Sequence, residues 1–383
     1  MNEGLMTRRQ PIPFIDLAAQ RRRLGDAVDA SISRVLSHGQ FILGPEVQVL
    51  EDQLAEFCGA RYVISCANGT DALALVLMAK GIRPGHAVMC PSFTFAATAE
   101  VIAWFGATAV FIDVHADTFN MDGSSLEAGI ETAKKHSLDP VGVISVDLFG
   151  QPCDYDVIEP ICTKHGLWLL SDAAQSFGAS CRKRKVGTIG LATTTSFFPA
   201  KPLGCYGDGG AIFTDDPDLP ELLRSLRVHG EGMDKYDNVR VGMNARLDTL
   251  QAAVLIEKLK IFPEEINKRS MIAARYTAAL DGVATVPVVL NHCDSVWAQY
   301  TIKVEPEKRD FLSARLNSAG IPTAIYYAKP LHQQMAYRHF PVAGNGLPVS
   351  ENIAQEVISL PMHAYLGPDV QDRITDIIRT VLA

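Results

Sequence analysis

The chain has 383 residues, of which 48% are hydrophobic, so it can bury a large core and its length suggests two domains or one large domain with an appendage. Its 35 basic and 43 acidic residues give a formal charge of −8, which argues against nucleic acid or an anionic membrane as a partner. No apolar signal-peptide core and no uncharged apolar run of about 18 residues is present, so we expect neither export by a recognisable signal nor a membrane span.

From residue 60 to 215, short apolar runs alternate with helical stretches. The runs are apolar nearly throughout, as in strands buried on both faces: YVISC, HAVMCPS, TAVFIDV, VGVISVDLF, GLWLLSD, TTTSFF and GAIFTD. Apolar residues at helical spacing predict helices over 70–81, 96–105, 124–135 and 154–165. This alternation predicts an α/β fold with a mainly parallel sheet. The segment before residue 58 is expected to pack on the large domain that contains this sheet.

The chain after residue 217 becomes mostly helical. The segment RLDTLQAAVLIEKLKIFPEEINKRSMIAARYTAAL predicts two long helices broken near Pro263. Beyond about residue 290 the pattern is α+β, with AQYTIKV and PTAIYY as strand candidates and helices over 308–319 and 368–382. We therefore expect a large domain over 1–280 and a small α+β domain over 281–383.

The eight cysteines are scattered through apolar segments, without a C-x-x-C pair. This distribution favours reduced thiols in the cytoplasm. No metal site is expected, and small molecules or other proteins are the expected partners.

Polar residues that directly follow strands are the first candidates for a site, because open α/β sheets bind ligands beyond the carboxyl ends of their strands. In ISCANGTDALALVL a strand ends at Cys66 and a helix begins near Thr70 or Asp71. Free amides and the helix dipole at Gly69, Thr70 and Asp71 would hold a phosphate. The same residues also suit a plain turn and helix N-cap.

Asp172 follows the strongest buried-strand signal, in GLWLLSDAAQSFGA. A carboxylate there is costly unless it is paired, either with a cationic ring nitrogen or with a structural hydrogen-bond donor in a neighbouring loop. Gln175, three residues on, could reach the same ligand. Phe95, in CPSFTFAAT, could cover a ligand ring, although most phenylalanines at such places belong to the core.

Lys201 lies in SFFPAKPLGCYGDGGA, where Pro199 and Pro202 restrain the backbone on either side. Its expected apolar neighbours are Phe197, Phe198, Leu203 and Tyr206. Desolvation among them would lower the pKa of the lysine and make its neutral, nucleophilic form accessible near pH 7, as Schiff-base chemistry requires. The alternative is a lysine that extends into solvent.

Pyridoxal phosphate needs three things together: a carboxylate for its ring nitrogen, an amine for its aldehyde and a cradle for its phosphate. At this point the sequence resembles the sugar aminotransferases of the DegT/DnrJ/EryC1/StrS group, which are pyridoxal-phosphate enzymes of fold type I. The resemblance covers nearly the whole chain through FIDLAAQ, GQFILGPEV, ANGTDAL, PSFTFAAT, SDAAQSFGA, SFFPAKPLGCYGDGGA, VGMNARLDTLQAA and PLHQQ. It implies an aspartate-aminotransferase-like fold with a mainly parallel seven-stranded sheet in the large domain and a smaller α+β C-terminal domain.

The resemblance also implies roles around the cofactor ring. Lys201 would bond covalently to pyridoxal 5'-phosphate, Asp172 would meet the pyridinium nitrogen, Gln175 would lie near the ring oxygen, and Phe95 would stack on the ring. Lys201 and Asp172 are then the catalytic pair, and pyridoxamine 5'-phosphate is the aminated form of the cofactor during turnover.

A second set of implied roles concerns the cofactor phosphate. Gly69, Thr70 and Ser196 would bind it, with Asp71 beside them. Asn244 would reach the phosphate of the neighbouring subunit's cofactor, which implies a homodimer with shared active sites.

The substrate implied by the resemblance is a nucleotide-linked ketosugar. Some family members carry histidine in place of the lysine and act as sugar dehydratases, so Lys201 favours amino transfer. The motifs are most similar to the branch that aminates C3 of a UDP-linked 3-oxo-N-acetylglucosaminuronic acid for surface-polysaccharide (O-antigen) synthesis, with L-glutamate as the expected donor. Another 3-oxo or 4-oxo UDP- or dTDP-sugar, or dehydration, remains the alternative. Candidate substrate contacts are Phe41, Arg246, Tyr327, Lys329 and His332, with His38 and Gln40 at the nucleotide end.

Overall fold

The computed structural model describes residues 12–234 and 236–383. Its α-helices are α1 (Leu17–Leu24), α2 (Asp26–His38), α3 (Pro45–Cys58), α4 (Gly69–Ala79), α5 (Ala97–Trp104), α6 (Gly123–Lys135), α7 (Tyr155–His165), α8 (Leu219–Leu226), α9 (Thr249–Leu280), α10 (Pro306–Ser318), α11 (Pro348–Glu356) and α12 (Pro368–Leu382). Single 3-10 turns cover Leu148–Gly150 and Leu331–Gln333. Among these residues no helix is both long and apolar enough to cross a membrane.

The strands form one large sheet and two small ones. They are β1 (Tyr62–Cys66), β2 (His86–Pro91), β3 (Thr108–Ile112), β4 (Asp139–Val146), β5 (Trp168–Asp172), β6 (Ser180–Cys181), β7 (Arg184–Lys185), β8 (Ala192–Ser196), β9 (Gly210–Thr214), β10 (Cys293–Asp294), β11 (Tyr300–Lys303) and β12 (Val357–Leu360). The small sheets have the orders β10-β6-β7 and β11-β12.

The large sheet has seven strands in the order β1-β9-β8-β5-β4-β2-β3. Strand β9 runs antiparallel to β1 and β8, and the other pairs are parallel. The seven apolar runs of the sequence are the seven strands, and the expected α/β fold is confirmed. Because most of the strands are parallel, the carboxyl ends of β2, β4, β5 and β8 meet at one edge.

Helices cover the large sheet, and a second core lies further along the chain. The first core joins strand residues such as Val88, Ile144 and Leu170 to the covering helices. Helices α2 and α3 pack along α9, and α3 also contacts β1 of the large sheet. The second core surrounds β11, β12, α10 and α12 and includes the end of α9 from Ile272 onward. The division of the chain at residue 280 stays a prediction.

Two expected elements differ from the sequence prediction. Helix α9 continues through Pro263 as one helix of 32 residues, so the predicted break is wrong. A proline inside a helix costs about 3 kcal/mol, but buried side chains on both sides of it, such as Phe262 and Ala273, keep the helix in place. The segment PTAIYY forms only an isolated bridge between Ala324 and Ser359, because its last residues turn towards the large sheet.

Candidate active site

Asp172 and Lys201 lie at the carboxyl edge of the large sheet, near enough for their charges to interact. Asp172 ends β5, is 7% exposed, and accepts a hydrogen bond from the Ala174 amide at 3.0 Å. Burial raises the pKa of Asp172, and the charge of Lys201 opposes this rise. Burial likewise lowers the pKa of Lys201, against the attraction of Asp172. The structure therefore brings together the carboxylate and the amine that the sequence singled out.

The loop that carries Lys201 is held by buried cations of α9. The Lys258 ammonium donates to the Gly204 carbonyl at 2.6 Å, and the Arg269 guanidinium donates to the Pro202 carbonyl at 3.4 Å. Burial lowers the pKa of Lys258 to about 8. Neither cation is predicted by the sequence, because nothing in the pattern of a long helix shows which carbonyl a charged side chain meets.

The apolar surroundings predicted for the lysine are only partly present. Phe197 and Leu203 are buried, whereas Phe198 is 51% exposed and Tyr206 is 38% exposed. Part of the expected apolar lining therefore faces outward, because the chain leaves β8 and turns across the surface of the site.

The start of α4 and the end of β8 lie close together, and we call this place the anion cradle because its donors could hold an anion. Asn68 caps α4 by accepting from the Asp71 amide at 2.8 Å. The Gly69 and Thr70 amides, which precede it, have no acceptor within the helix. Ser196 is the last residue of β8. A Cβ added to Gly69 would lie 2.7 Å from the Cβ of Ser196, so the two residues are in close contact. The amides of Gly69 and Thr70 and the hydroxyl of Ser196 thus lie at the same place. The Asp71 amide is not free for a ligand, because it donates to Asn68.

Gln175, just after β5, joins Phe149 to the segment around Tyr327. Its side-chain amide donates to the Tyr327 hydroxyl at 3.0 Å, and its carbonyl oxygen accepts from the Phe149 amide at 2.8 Å. Burial raises the pKa of Tyr327 above its usual range, so the hydroxyl stays protonated. Phe95 follows β2 with 59% of its surface exposed, which leaves a ring face open at the same edge of the sheet.

Sequence comparison identifies the protein family. A model of the DegT/DnrJ/EryC1/StrS aminotransferase family matches residues 23–379. The chain belongs to this family. It is 48% identical over 357 residues to UDP-2-acetamido-2-deoxy-3-oxo-D-glucuronate aminotransferase of Pseudomonas aeruginosa, covering 93% of this chain and 96% of that protein.

Solved structures agree with this assignment. A DegT DnrJ EryC1 StrS aminotransferase from Brucella abortus superposes with a TM-score of 0.95 and 51% identity, covering 97% of this chain and all of that chain. NtdA from Bacillus subtilis, with bound cofactor PMP, has a TM-score of 0.87 and 28% identity, covering 97% of this chain and 85% of that chain. The predicted family, fold, aminotransferase activity and pyridoxal-phosphate cofactor are confirmed.

The side chains of the aminotransferase fit this cofactor. Asp172 is a buried carboxylate whose only protein donor among the described residues is a backbone amide, so it has capacity for a ring N–H. Thr194, its register partner on β8, has a buried hydroxyl oxygen without a hydrogen-bond partner in the same part of the chain. Gly69 and Ser196 offer donors to a phosphate. A carboxylate, an amine and an anion cradle thus lie along one edge of the sheet.

The segment around Asn244 lies beside the cradle of the same chain. The Ala67 amide donates to the Ala245 carbonyl at 3.1 Å, which brings the segment next to the start of α4. Asn244 is exposed, and Arg246 is half-buried. The Arg246 Nε is buried and makes no hydrogen bond within the described residues, so this guanidinium has a donor left for an anionic ligand.

The other candidates for substrate contact lie at two places. The His332 ring nitrogens meet the Ser92 hydroxyl at 2.6 Å, just after β2, and the Glu351 carboxylate at 3.0 Å. Lys329, three residues earlier, is exposed. His332 thereby joins the end of β2 to α11, whereas the Lys329 side chain faces solvent.

Phe41 lies at the turn between α2 and α3 and is 45% exposed. Its carbonyl accepts from the Thr249 amide at the start of α9, at 2.9 Å. Nearby, His38 contacts Glu46 at 3.2 Å and accepts from the Gln40 amide at 3.0 Å. These contacts shape the turn, and a role in nucleotide binding stays a prediction.

Proposed function

We propose that this aminotransferase moves an amino group from L-glutamate to C3 of UDP-2-acetamido-2-deoxy-3-oxo-D-glucuronate, in the synthesis of a surface polysaccharide such as an O-antigen. The observation that carries the proposal is the Lys201–Asp172 pair at the sheet edge, in a chain 48% identical to an enzyme named for that substrate. The eight free, buried cysteines support the reducing cytoplasm as its compartment.

Asp172, Gly69, Thr70 and Ser196 would hold the cofactor, by its ring nitrogen and by its phosphate. Pyridoxal phosphate supplies, when bound, an electron sink for the carbon that loses its proton. A cation against Asp172 would counter the effect of burial and keep this carboxylate ionised. The protein thereby stabilises the protonated ring nitrogen through one buried charge.

Lys201 is the proton carrier of the proposed reaction. Its lowered pKa leaves more of the amine unprotonated near neutral pH than an exposed lysine would have. The neutral Nζ can take the proton from the α-carbon of the donor and later return one to C3 of the acceptor sugar. The hydrogen bonds of Lys258 and Arg269 to the loop hold this amine at the sheet edge.

Arg246 is our candidate for contact with the anionic part of the substrate. Both the uronate carboxylate and the diphosphate of the proposed substrate match a guanidinium with a free N–H. The open Nε and the position of the segment beside the cradle support this assignment.

We also infer a homodimer in which Asn244 serves the neighbouring subunit's site. The exposed side chain of Asn244 supports this inference. So does an exposed apolar run, in which Phe41, Ile42 and Leu43 are 45%, 46% and 40% exposed. Mixing inactive Lys201→Ala subunits with inactive Asn244→Ala subunits tests the shared site. Random exchange of subunits makes half of the dimers mixed, and each mixed dimer has one intact site out of two. We therefore expect about a quarter of the wild-type activity to return. No recovery after demonstrated subunit exchange would contradict shared sites.

The substrate is tested by mass spectrometry of a panel of UDP- and dTDP-linked ketosugars incubated with the enzyme and L-glutamate. We expect the 3-oxo-glucuronate derivative to be aminated fastest, with one 2-oxoglutarate formed for each amino sugar. Faster turnover of the same sugar without its carboxylate would contradict the substrate assignment. A dehydrated sugar without 2-oxoglutarate would contradict amino transfer itself.

A further inference from the structure

Two cysteines and a histidine meet outside the active site, where β6 pairs with β10. Cys181 and Cys293 stand directly opposite each other in this antiparallel pair, and His292 precedes Cys293. The Arg182 amide donates to the His292 carbonyl at 2.7 Å and so fixes the register next to the two thiols. We call this group the thiol–imidazole cluster (Cys181, His292, Cys293).

The cluster has nearly the dimensions of a metal site. One sulfur of each cysteine and one ring nitrogen of the histidine all lie within 4.8 Å of one another. In a tetrahedral zinc site the bond lengths place such atoms about 3.5–3.8 Å apart, so small side-chain rotations would close the site. Cys181 and Cys293 are 5% and 8% exposed, whereas 23% of the His292 side chain is exposed, which leaves a path for an ion.

A carboxylate lies next to the imidazole of the cluster. His292 Nε2 and Asp154 Oδ1 face each other at 3.4 Å, and neither atom makes a hydrogen bond in the described part of the chain. An imidazole that binds a metal ion commonly donates its other N–H to a carboxylate. If Nδ1 binds the ion, Nε2 can donate to Asp154, whereas Asp156, also near His292, is paired with Arg182.

The ligand types of the cluster suit a soft dication. Two cysteine sulfurs and one imidazole nitrogen are ligands that Zn²⁺ prefers in proteins. A dication with a preference for sulfur and nitrogen would convert both thiols to thiolates.

We propose that Cys181, Cys293 and His292 bind one Zn²⁺ ion, with Asp154 as the positioning residue of the imidazole and water as the fourth ligand. Binding forms two Zn–S bonds and one Zn–N bond and releases the two thiol protons to solvent. The ion would link β6 to β10. Strand β6 comes soon after Asp172 in the chain, and β10 precedes the second core. The proposal is independent of the sugar substrate.

Co²⁺ is the spectroscopic probe for this site. The full-length holoenzyme is treated with a chelator and a reductant, and is then titrated with Co²⁺. We expect one Co²⁺ per chain, with a thiolate charge-transfer band and tetrahedral d–d bands at longer wavelength than the cofactor band, and loss of all of them on addition of Zn²⁺. Chelation of the Zn²⁺ form should also lower the melting temperature.

Variants separate a metal site from a chance meeting of side chains. Cys181→Ser and Cys293→Ser should each weaken Co²⁺ binding by at least about 100-fold. Asp154→Asn should weaken it about 10–100-fold and keep the thiolate band. Cys162→Ser, at another buried cysteine on α7, is the matched control and should bind Co²⁺ like the wild type.

Two results would overturn the proposal. These are the absence of a thiolate band when the reduced holoenzyme is titrated with Co²⁺, and unchanged Co²⁺ binding by Cys181→Ser. His292→Gln provides the same test should the cysteine variants fail to fold. Retention of the cofactor absorbance is the check that a variant is folded.

Discussion

Gly69 and Ser196 are in such close contact that a Cβ on the glycine would lie 2.7 Å from the Cβ of the serine. The glycine is required here for space, because its φ is not in the left-handed region. Gly210, the partner of Ser196 across β9, is equally constrained, since a Cβ there would stand 2.5 Å from the Asn68 carbonyl oxygen. Two glycines thus let the start of α4 approach β8 and β9.

Gly69→Ala should therefore damage the anion cradle. The added methyl group meets Ser196 and must displace the end of β8 or the first turn of α4. We expect at least about tenfold weaker binding of pyridoxal phosphate, equivalent to about 1.4 kcal/mol, in absorbance titrations of the apoenzyme. Gly367→Ala is the control, because a Cβ at that position meets nothing within 4 Å. Equal affinity of the two variants would contradict the cradle.

Asp172→Asn should keep the fold and lose most of the activity. The amide can still accept from Ala174, but it carries no charge to stabilise a protonated ring nitrogen. We expect the half-reaction with L-glutamate to slow by about 10²-fold or more, measured by stopped-flow absorbance. Asp113→Asn is the matched control. Asp113 is a buried carboxylate just after β3, and it accepts hydrogen bonds from the backbone amide and the hydroxyl of Ser350. The Asp113→Asn variant should be less stable than the wild type and should keep the wild-type rate of the half-reaction. A slow half-reaction in Asp113→Asn together with a wild-type rate in Asp172→Asn would refute the assignment of Asp172.

Lys258 should make stability depend on pH above neutrality. Its pKa in the folded protein is about 8, below the value of about 10.4 in an unfolded chain. The unfolded state therefore binds more protons between these values, and the free energy of unfolding contributed by this group rises with pH across that window. We expect wild type to gain stability relative to Lys258→Met from pH 8 to about 10, as measured by urea unfolding. The control is Lys260→Met, at an exposed lysine of the same helix, for which we expect no such gain of the wild type with pH. If the free energy of unfolding changed with pH in the same way in the wild type and in both variants, the lowered pKa of Lys258 would be contradicted.

The sequence was sufficient to predict the sheet edge of the site. Asp172 ends an apolar run, and the rule that open α/β sheets bind ligands beyond the carboxyl ends of their strands places it at the site. Ser196 was implied only by the family resemblance. Gly69 and Lys201 were predictable for a related reason, since a small-residue turn and a pair of prolines mark where the chain leaves the sheet. These signals are local in the sequence, and the sheet topology converts them into proximity.

The remaining contacts depend on distant packing and had no local signal. The course of α9 through Pro263 is decided by side chains that pack on both sides of the proline. Lys258 and Arg269 read as ordinary charges on a helix, and only the tertiary structure brings them to the carbonyls of the Lys201 loop. The bond from Gln175 to Tyr327 likewise joins two segments whose spacing in the sequence predicts nothing.

The most direct test of the account is to locate the amine that bonds to the cofactor. The holoenzyme is reduced with borohydride, digested and analysed by tandem mass spectrometry. We predict that the phosphopyridoxyl group is found on Lys201, and that the Lys201→Ala variant carries no such group on any lysine. A label on Lys258, a second buried lysine with a lowered pKa, or a label that survives in Lys201→Ala, would contradict the central claim.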